Sequence, residues 1–120
     1  MKTRGVRGAT QVPGNSALDI KDGVVELLNN MISENAIQID DLISIIFTAT
    51  VDLDADFPAV AAREIGLGQV PLLCGVEIDV PGALPRVIRV LMHINSDKDL
   101  SQIKHIYLRG ATSLRKDLAQ

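Results

Sequence analysis

The segment 86–95 constrains the fold most strongly, because its side chains alternate with the two-residue period of a β-strand. One predicted face is wholly apolar and the other carries an arginine: Ile88, Val90, Met92 and Ile94 against Val87, Arg89, Leu91 and His93. A surface arginine on an edge strand is the simplest explanation of Arg89, but its aliphatic neighbours favour a central strand. A guanidinium is rarely buried without a partner. We therefore expect either an acidic side chain or a ligand oxygen to pair with Arg89, and we favour the ligand.

The whole chain divides into strands and helices in the order β-α-β-α-β-β-β. A helical stripe begins near Ile20 behind the cap residue Ser16 and is expected to stop at Asn35, and a shorter helix is expected between Asp56 and Gly66. Strands are expected at 4–12, 42–50, 70–80, 86–95 and 104–108, with a short and partly helical tail at 110–120. This order predicts one domain, residues 1–120, of the α+β or α/β class, with a mixed β-sheet and helices on one face. We expect the uncovered face to be apolar and to be buried in an oligomer.

Composition excludes several classes of protein. The net charge is −3 and the arginines are scattered, so the basic footprint of a nucleic-acid-binding protein is missing. No apolar run approaches the roughly 20 residues of a membrane span, and no signal-peptide core follows the basic N-terminus. Cys74 is the only cysteine, which excludes an intrachain disulfide and a multi-thiolate metal site and favours the reducing cytoplasm. His93 and His105 are too few for a metal centre, so we expect no metal.

Three further positions are candidates for chemistry. Glu77 and Asp79 lie near a predicted strand end and are equal candidates, with an exposed carboxylate as the simplest explanation of each. Arg7 lies between glycines, which let other groups approach the backbone closely, although a solvated charge explains it equally well. Tyr107 is the only tyrosine, and such a residue usually packs its ring and exposes its hydroxyl. These patterns predict a compact domain with a semi-buried arginine and do not identify a reaction.

Short motifs along nearly the whole chain, each weak alone, together resemble one known family. They are Arg4-Gly5-Val6-Arg7-Gly8-Ala9-Thr10, Phe47-Thr48-Ala49-Thr50 with Asp52-Leu53, Phe57-Pro58-Ala59 with Ala62-Arg63, Val70-Pro71-Leu72 with Cys74 and Glu77, Arg86-Val87-Ile88-Arg89-Val90, His105-Ile106-Tyr107-Leu108, and Leu114-Arg115-Lys116-Asp117-Leu118. In this order and spacing they resemble the monofunctional bacterial chorismate mutases of the trimeric, pseudo-α/β-barrel type. The resemblance implies an isomerase that rearranges chorismate to prephenate in phenylalanine and tyrosine biosynthesis, without metal, cofactor or covalent intermediate. It also implies a homotrimer with active sites in clefts between neighbouring subunits.

The resemblance further implies roles for individual residues. Arg89 would donate to the ether oxygen that gains negative charge, Arg7 and Tyr107 would hold a substrate carboxylate, and Glu77 would accept from the ring hydroxyl with Cys74 beside it. The other implied substrate-binding residues line the pocket (Phe57, Ala59 and Leu73) or lie near its mouth (Arg63, Leu114 and Arg115).

The chain departs from the family pattern at two positions, and two other functions are compatible with the same fold. Val60 stands where some relatives carry a lysine, and Lys116 replaces a proline of the tail motif. Trimeric proteins of similar fold bind or deaminate small imines, or act as ligand-sensing regulators, and fold alone does not exclude them. Glu77 and Arg89 on successive strands, together with Arg7, favour the mutase. A purely structural trimer would leave Arg89 unexplained.

Overall fold

The computed structural model describes residues 1–114, which form one small domain. Its strands and helices follow the predicted order: β1 Lys2–Gln11, α1 Ala17–Glu34, β2 Leu42–Ala49, α2 Pro58–Ala62, β3 Leu72–Val76, β4 Val87–Ser96 and β5 Ile106–Leu108. Single 3₁₀ turns lie at Ile39–Asp41 and Leu100–Gln102, and a longer one at Arg109–Ser113 follows β5. A π-helical turn, Arg63–Leu67, continues α2.

The five strands form a mixed sheet in the order β3-β2-β4-β1-β5. The central strand β4 runs antiparallel to both β2 and β1, whereas the two outer pairs, β2–β3 and β1–β5, are parallel. Arg89 therefore lies on the central strand, as its aliphatic neighbours predict, and the edge-strand explanation is wrong.

Helix α1 begins and ends where its caps predict. The Ser16 side chain accepts from the Asp19 N–H at 3.0 Å, and Asn35 follows the last helical residue. The helix packs very closely on β1, since a Cβ at Gly8 would collide with Met31 and one at Gly23 would collide with Val12. Glycines at both contact points thus bring α1 down onto the sheet.

Helix α2 is shorter than expected. Pro58 occupies its first turn, and the Phe57 N–H just before it donates to Asp56 at 2.7 Å. The regular helix ends at Ala62, and Gly66, with φ +96°, takes the left-handed conformation that glycine tolerates best. Outside the sheet, a hydrogen bond from Lys21 of α1 to Glu64 raises the pKa of that lysine.

The two helices pack on one face of the sheet, as predicted, and leave the other open. Side chains of β4 on the covered face are almost inaccessible to solvent: Ile88, Val90, Met92 and Ile94. The open face mixes apolar residues (Ile46, Leu73 and Leu91) with polar ones (Arg7, Ser44, Thr48, Arg89 and His93). The expectation of an apolar open face is therefore only partly correct.

Strand boundaries differ from the sequence expectation at two edges. Strand β3 covers Leu72–Val76 instead of 70–80, because Pro71 has no N–H to donate and the chain leaves β2 after Glu77. Strand β5 begins at Ile106 instead of 104, because the side chain of Asn35 holds the main chain of Lys104. The expected tail at 110–120 begins within the 3₁₀ turn, and its last six residues lie outside the described part. Within residues 1–114, no helix has both the length and the apolar character needed to cross a bilayer.

Candidate active site

The register of the sheet brings residues from four strands into one row across the open face. Thr48 of β2 pairs with Arg89 of β4, Arg89 pairs with Ala9 of β1, and Ala9 pairs with Tyr107 of β5. Arg7 precedes Ala9 by two residues and so shares its face. Segments that are distant in sequence thereby place Arg7, Arg89 and Tyr107 on one patch.

Glu77 reaches the same patch from the end of β3. Its main-chain N–H donates to the carbonyl of Ala49 at 2.9 Å, which extends the β2–β3 pairing by one residue. Its Oε2 atom lies 3.2 Å from Nε of Arg89 and accepts from the Thr48 hydroxyl at 2.7 Å. Of the two carboxylates that sequence could not separate, Glu77 pairs with Arg89, while Asp79 is exposed and forms no ion pair within residues 1–114.

The sequence left two possible partners for Arg89, an acidic side chain or a ligand oxygen, and the structure has features of both. Its charge faces an acidic side chain, so the preference for a ligand oxygen alone is corrected. The Nε–H is not directed at that carboxylate, however, and Nε is shielded from solvent without donating a hydrogen bond to any described residue. A buried donor without an acceptor is costly. Because 42% of the Arg89 side chain is nevertheless exposed, its accessible part can donate to a bound oxygen.

A concavity of about 300 Å³ in the open face gathers the four residues to which the resemblance gives catalytic roles. Its walls include Arg7, Glu77, Arg89 and Tyr107, together with Ala9, Ile46, Thr48 and Leu91. Tyr107 is only 4% exposed and packs with Ala9 and Ala111. The arrangement offers two cations, one carboxylate and two hydroxyls within an otherwise apolar hollow.

A second cleft, of about 490 Å³, adjoins the concavity through Glu77 and Arg89, which line both. Leu114, for which the resemblance implies a position near the mouth of the pocket, lies on the wall of this cleft. Asp52 and Asp79 also line this cleft, and their charge makes it more acidic than the concavity.

Phe57 and Cys74 lie together elsewhere, on a cleft of about 480 Å³ between β3 and the start of α2. Cys74 pairs in register with Phe47 and packs against the core on the covered face, whereas Glu77 turns to the open face. Within one chain, Cys74 is therefore not beside Glu77.

The remaining predicted site residues are scattered within a single chain. Leu73 is 63% exposed on the open face, Ala59 is packed into the hydrophobic core, and Arg63 is exposed where α2 ends. Arg115 and the departure Lys116 lie outside the described residues. The roles of these residues stay predictions.

Sequence reasoning missed two polar contacts of this patch. Thr48 was quoted only as part of a motif, although its hydroxyl holds Glu77, and the ring of His105 accepts the Arg7 main-chain N–H at 3.0 Å. The alternation of β2 gives the face of Thr48, but only the strand register places it beside Arg89. Among residues 1–114 no group of three or more His, Cys, Asp or Glu is placed to hold a metal ion.

Comparisons with known proteins agree on one family. The family model described as chorismate mutase type I matches residues 3–118. The chain is 48% identical to the chorismate mutase AroH of Thermus thermophilus over 116 residues, covering 96% of this chain and 95% of the relative. It is 41% identical to the AroH of Bacillus subtilis (strain 168) over 120 residues, covering 99% and 94%.

A solved structure supports the same assignment. The fold superposes on a chorismate mutase from Clostridium thermocellum with a TM-score of 0.90 and 52% sequence identity, covering 92% of this chain and 98% of that one. The sequence motifs, the mixed sheet and both kinds of comparison therefore lead to one conclusion: the chain belongs to the type I chorismate mutase family.

Proposed function

We propose that this chain is a chorismate mutase that acts in aromatic amino-acid biosynthesis. The observation that carries the proposal is the Arg89–Glu77 pair, 3.2 Å apart, in a concavity that also contains Arg7 and Tyr107. Family membership supplies the reaction: in one pericyclic step a C–O bond of chorismate breaks and a C–C bond forms, giving prephenate. No nucleophile, proton transfer or metal is required, and the residues of the concavity offer charge and shape instead.

Arg89 is the main electrostatic group in this proposal. It donates to the ether oxygen of the substrate, which gains negative charge as the C–O bond breaks. A million-fold acceleration requires about 8 kcal/mol of barrier lowering, and one fixed donor at a developing oxyanion supplies roughly 2.7–4 kcal/mol. Positioning of the reacting carbons by the pocket walls must supply the rest.

The neighbouring residues orient the substrate around Arg89. Glu77 accepts from the ring hydroxyl and balances the charge of Arg89, and its contacts with Arg89 and Thr48 both use Oε2. Arg7 and Tyr107 hold a substrate carboxylate, a role that a guanidinium fork suits well. Leu114 and Arg115 belong near the mouth of the pocket.

We propose further that the working form is a homotrimer with active sites between subunits. Leu73 and Leu91 are 63% and 38% exposed on the open face, which favours cover by another subunit. In one chain the sheet separates Arg89 on the open face from Arg63 at the end of α2, on the covered face. A neighbouring subunit is therefore the source of Phe57, Ala59, Arg63 and Cys74 in each site, which brings Cys74 beside Glu77 across the interface. Leu73 belongs to the open face that carries Glu77.

Light scattering and hybrid formation test the trimer. We expect three times the monomer mass at micromolar concentration, and a stable monomer would contradict the shared site.

The variants Arg89→Ala and Arg63→Glu should each be weakly active alone. Mixed trimers of the two should recover activity, because some sites then receive both native arginines. No recovery in proven mixed trimers would show that Arg63 and Arg89 do not come from different subunits.

The proposal covers residues 1–120 as one chorismate mutase domain, acting in the cytoplasm without cofactor. Its direct test is to mix purified protein with chorismate, follow the loss of ultraviolet absorbance, and identify prephenate by NMR. Stoichiometric prephenate is the expected result. Turnover of a small imine with no conversion of chorismate would instead support the deaminase-like rival.

A further inference from the structure

Strand β5 joins β1 through an unusual first contact, in which a side chain replaces the main chain. The N–H of Arg7 donates to Nδ1 of His105 at 3.0 Å, in a half-buried position. Regular β1–β5 pairing begins one residue later, at Gly8 and Ile106. The imidazole therefore extends the pairing by one rung, to the strand residue that lines the concavity.

Contacts at the end of α1 explain why a side chain, and not the main chain, bonds to Arg7 here. The side chain of Asn35, which is 3% exposed, donates to the Lys104 carbonyl at 2.9 Å and accepts the Lys104 N–H at 2.8 Å. It also donates to the Met31 carbonyl at 2.9 Å. The main chain at Lys104 is thereby held against the helix, and the His105 ring bridges the space to β1.

The contact fixes the state of the ring. A main-chain N–H can only donate, so Nδ1 must be unprotonated and the neutral ring carries its proton on Nε2. Tyr107 pairs with Ala9 and so faces the side of the sheet that carries Arg7, and His105 precedes β5 by one residue. The ring is thus attached to the backbone of one carboxylate-holding residue and is two positions from the other.

We propose that His105 is a positioning residue for Arg7: its Nδ1 atom anchors the Arg7 main chain and so sets where the guanidinium enters the concavity. The kinetic consequence rests on the proposed function, in which Arg7 holds a substrate carboxylate. Such a contact is made in the ground state and the transition state alike, so loosening it raises KM more than it lowers kcat.

The kinetic test compares two replacements of His105. His105→Leu removes the acceptor, and we expect KM to rise about three- to tenfold, the range of one ordinary hydrogen bond, with kcat changed by less than about twofold. His105→Asn places an amide oxygen near the position of Nδ1 and should keep KM within about twofold of the wild-type value. His93→Leu is the matched control, since His93 is also half-buried on the open face but contacts Ser44 at 3.2 Å, outside the concavity.

Two further measurements separate positioning from general stability. In an Arg7→Ala background, His105→Leu should change KM no further, because the residue it positions is gone. Amide hydrogen exchange of Arg7, read by NMR without substrate, should be faster in His105→Leu and unchanged in His105→Asn. Additive kinetic effects, unchanged exchange, or equal KM values for the Leu and Asn variants would overturn the proposal. Wild-type protein that leaves chorismate unchanged, while Arg7 exchange responds as expected, would instead refute the proposed function.

Discussion

Two adjacent residues of β4 summarise the difference between the faces of this sheet. Ile88 is fully buried under the helices, whereas Arg89 turns to the open face, where its side chain is 42% exposed. Val90, Met92 and Ile94 are buried like Ile88, and the positions between them carry leucine and histidine. A single residue of register therefore separates a position that stabilises the fold from one that supplies charge to a ligand.

The covered face illustrates how stability arises without polar chemistry. The helices place a continuous layer of Ile, Leu, Met and Val side chains on β1, β2 and β4. On the open face, in contrast, an ion pair and a hydroxyl meet in a partly exposed hollow. Surface charges of this kind contribute little to stability, so their arrangement is better explained by binding.

The largest effect expected from the comparison is on stability. Ile88→Ala should lower the free energy of unfolding by about 2–5 kcal/mol, because it opens a cavity beneath the helices. The milder Ile88→Val should cost about 0.5–1.5 kcal/mol and leave kcat per folded molecule unchanged. Denaturant titration and steady-state kinetics measure both quantities. A large loss of kcat in Ile88→Val would show that the two faces are not functionally separate.

The next effect belongs to the open face. Glu77→Ala should lower kcat about 10- to 100-fold, corresponding to the roughly 1.5–3 kcal/mol of a hydrogen bond to a charged group, while the oligomer stays intact. Asp79→Ala, two residues further along and exposed, is the matched control and should be mild. If Asp79→Ala were the damaging change, the placement of Glu77 in the site would be wrong.

A smaller effect compares two threonines on opposite faces. Thr48→Val removes the hydroxyl that donates to Glu77 and should lower kcat about two- to tenfold through that carboxylate. Thr10→Val removes a hydroxyl that is fully buried on the covered face without a hydrogen-bond partner among residues 1–114. It should raise the unfolding free energy by about 1 kcal/mol without changing kcat, because the unsatisfied group disappears. Equal kinetic effects of the two changes would contradict the separation of the faces.

The last comparison, removal of metal ions, is expected to have no effect on turnover. Chelation with EDTA should leave turnover unchanged, because the proposed step uses fixed charge and shape and the described residues offer no ligand cluster. Loss of turnover in EDTA that a divalent ion restores would overturn the cofactor-free mechanism.

Sequence predicted the order of elements and the faces of the long strands well. Alternation on β4 separated Ile88 from Arg89, and the caps Ser16 and Asn35 bounded α1, because both signals are local. The later start of β5 was missed because a distant contact, in which Asn35 holds Lys104, decides where pairing begins.

The site was less predictable because it depends on register and assembly. Periodicity located Arg89, but the choice of Glu77 over Asp79 needed either the family resemblance or the strand pairing. Thr48 and His105 act through contacts that join residues 29 and 98 positions apart, which no local pattern reveals. The separation of Phe57 and Arg63 from the concavity likewise follows from how the helices cover the sheet.

The central claim is that Arg89 serves the transition state and not the fold, and one variant tests it most directly. Arg89→Met keeps an unbranched chain of similar length but removes the charge and all hydrogen-bond donors. Because removing one oxyanion donor costs about 10²–10³ in kcat, we expect a loss of at least that size, with an unfolding free energy within about 1 kcal/mol of the wild-type value. Arg89→Lys should recover only part of the rate, since it restores charge without the planar fork. If Arg89→Met raises KM but leaves kcat unchanged, or unfolds the protein while folded molecules keep the wild-type rate, the electrostatic role of Arg89 is contradicted.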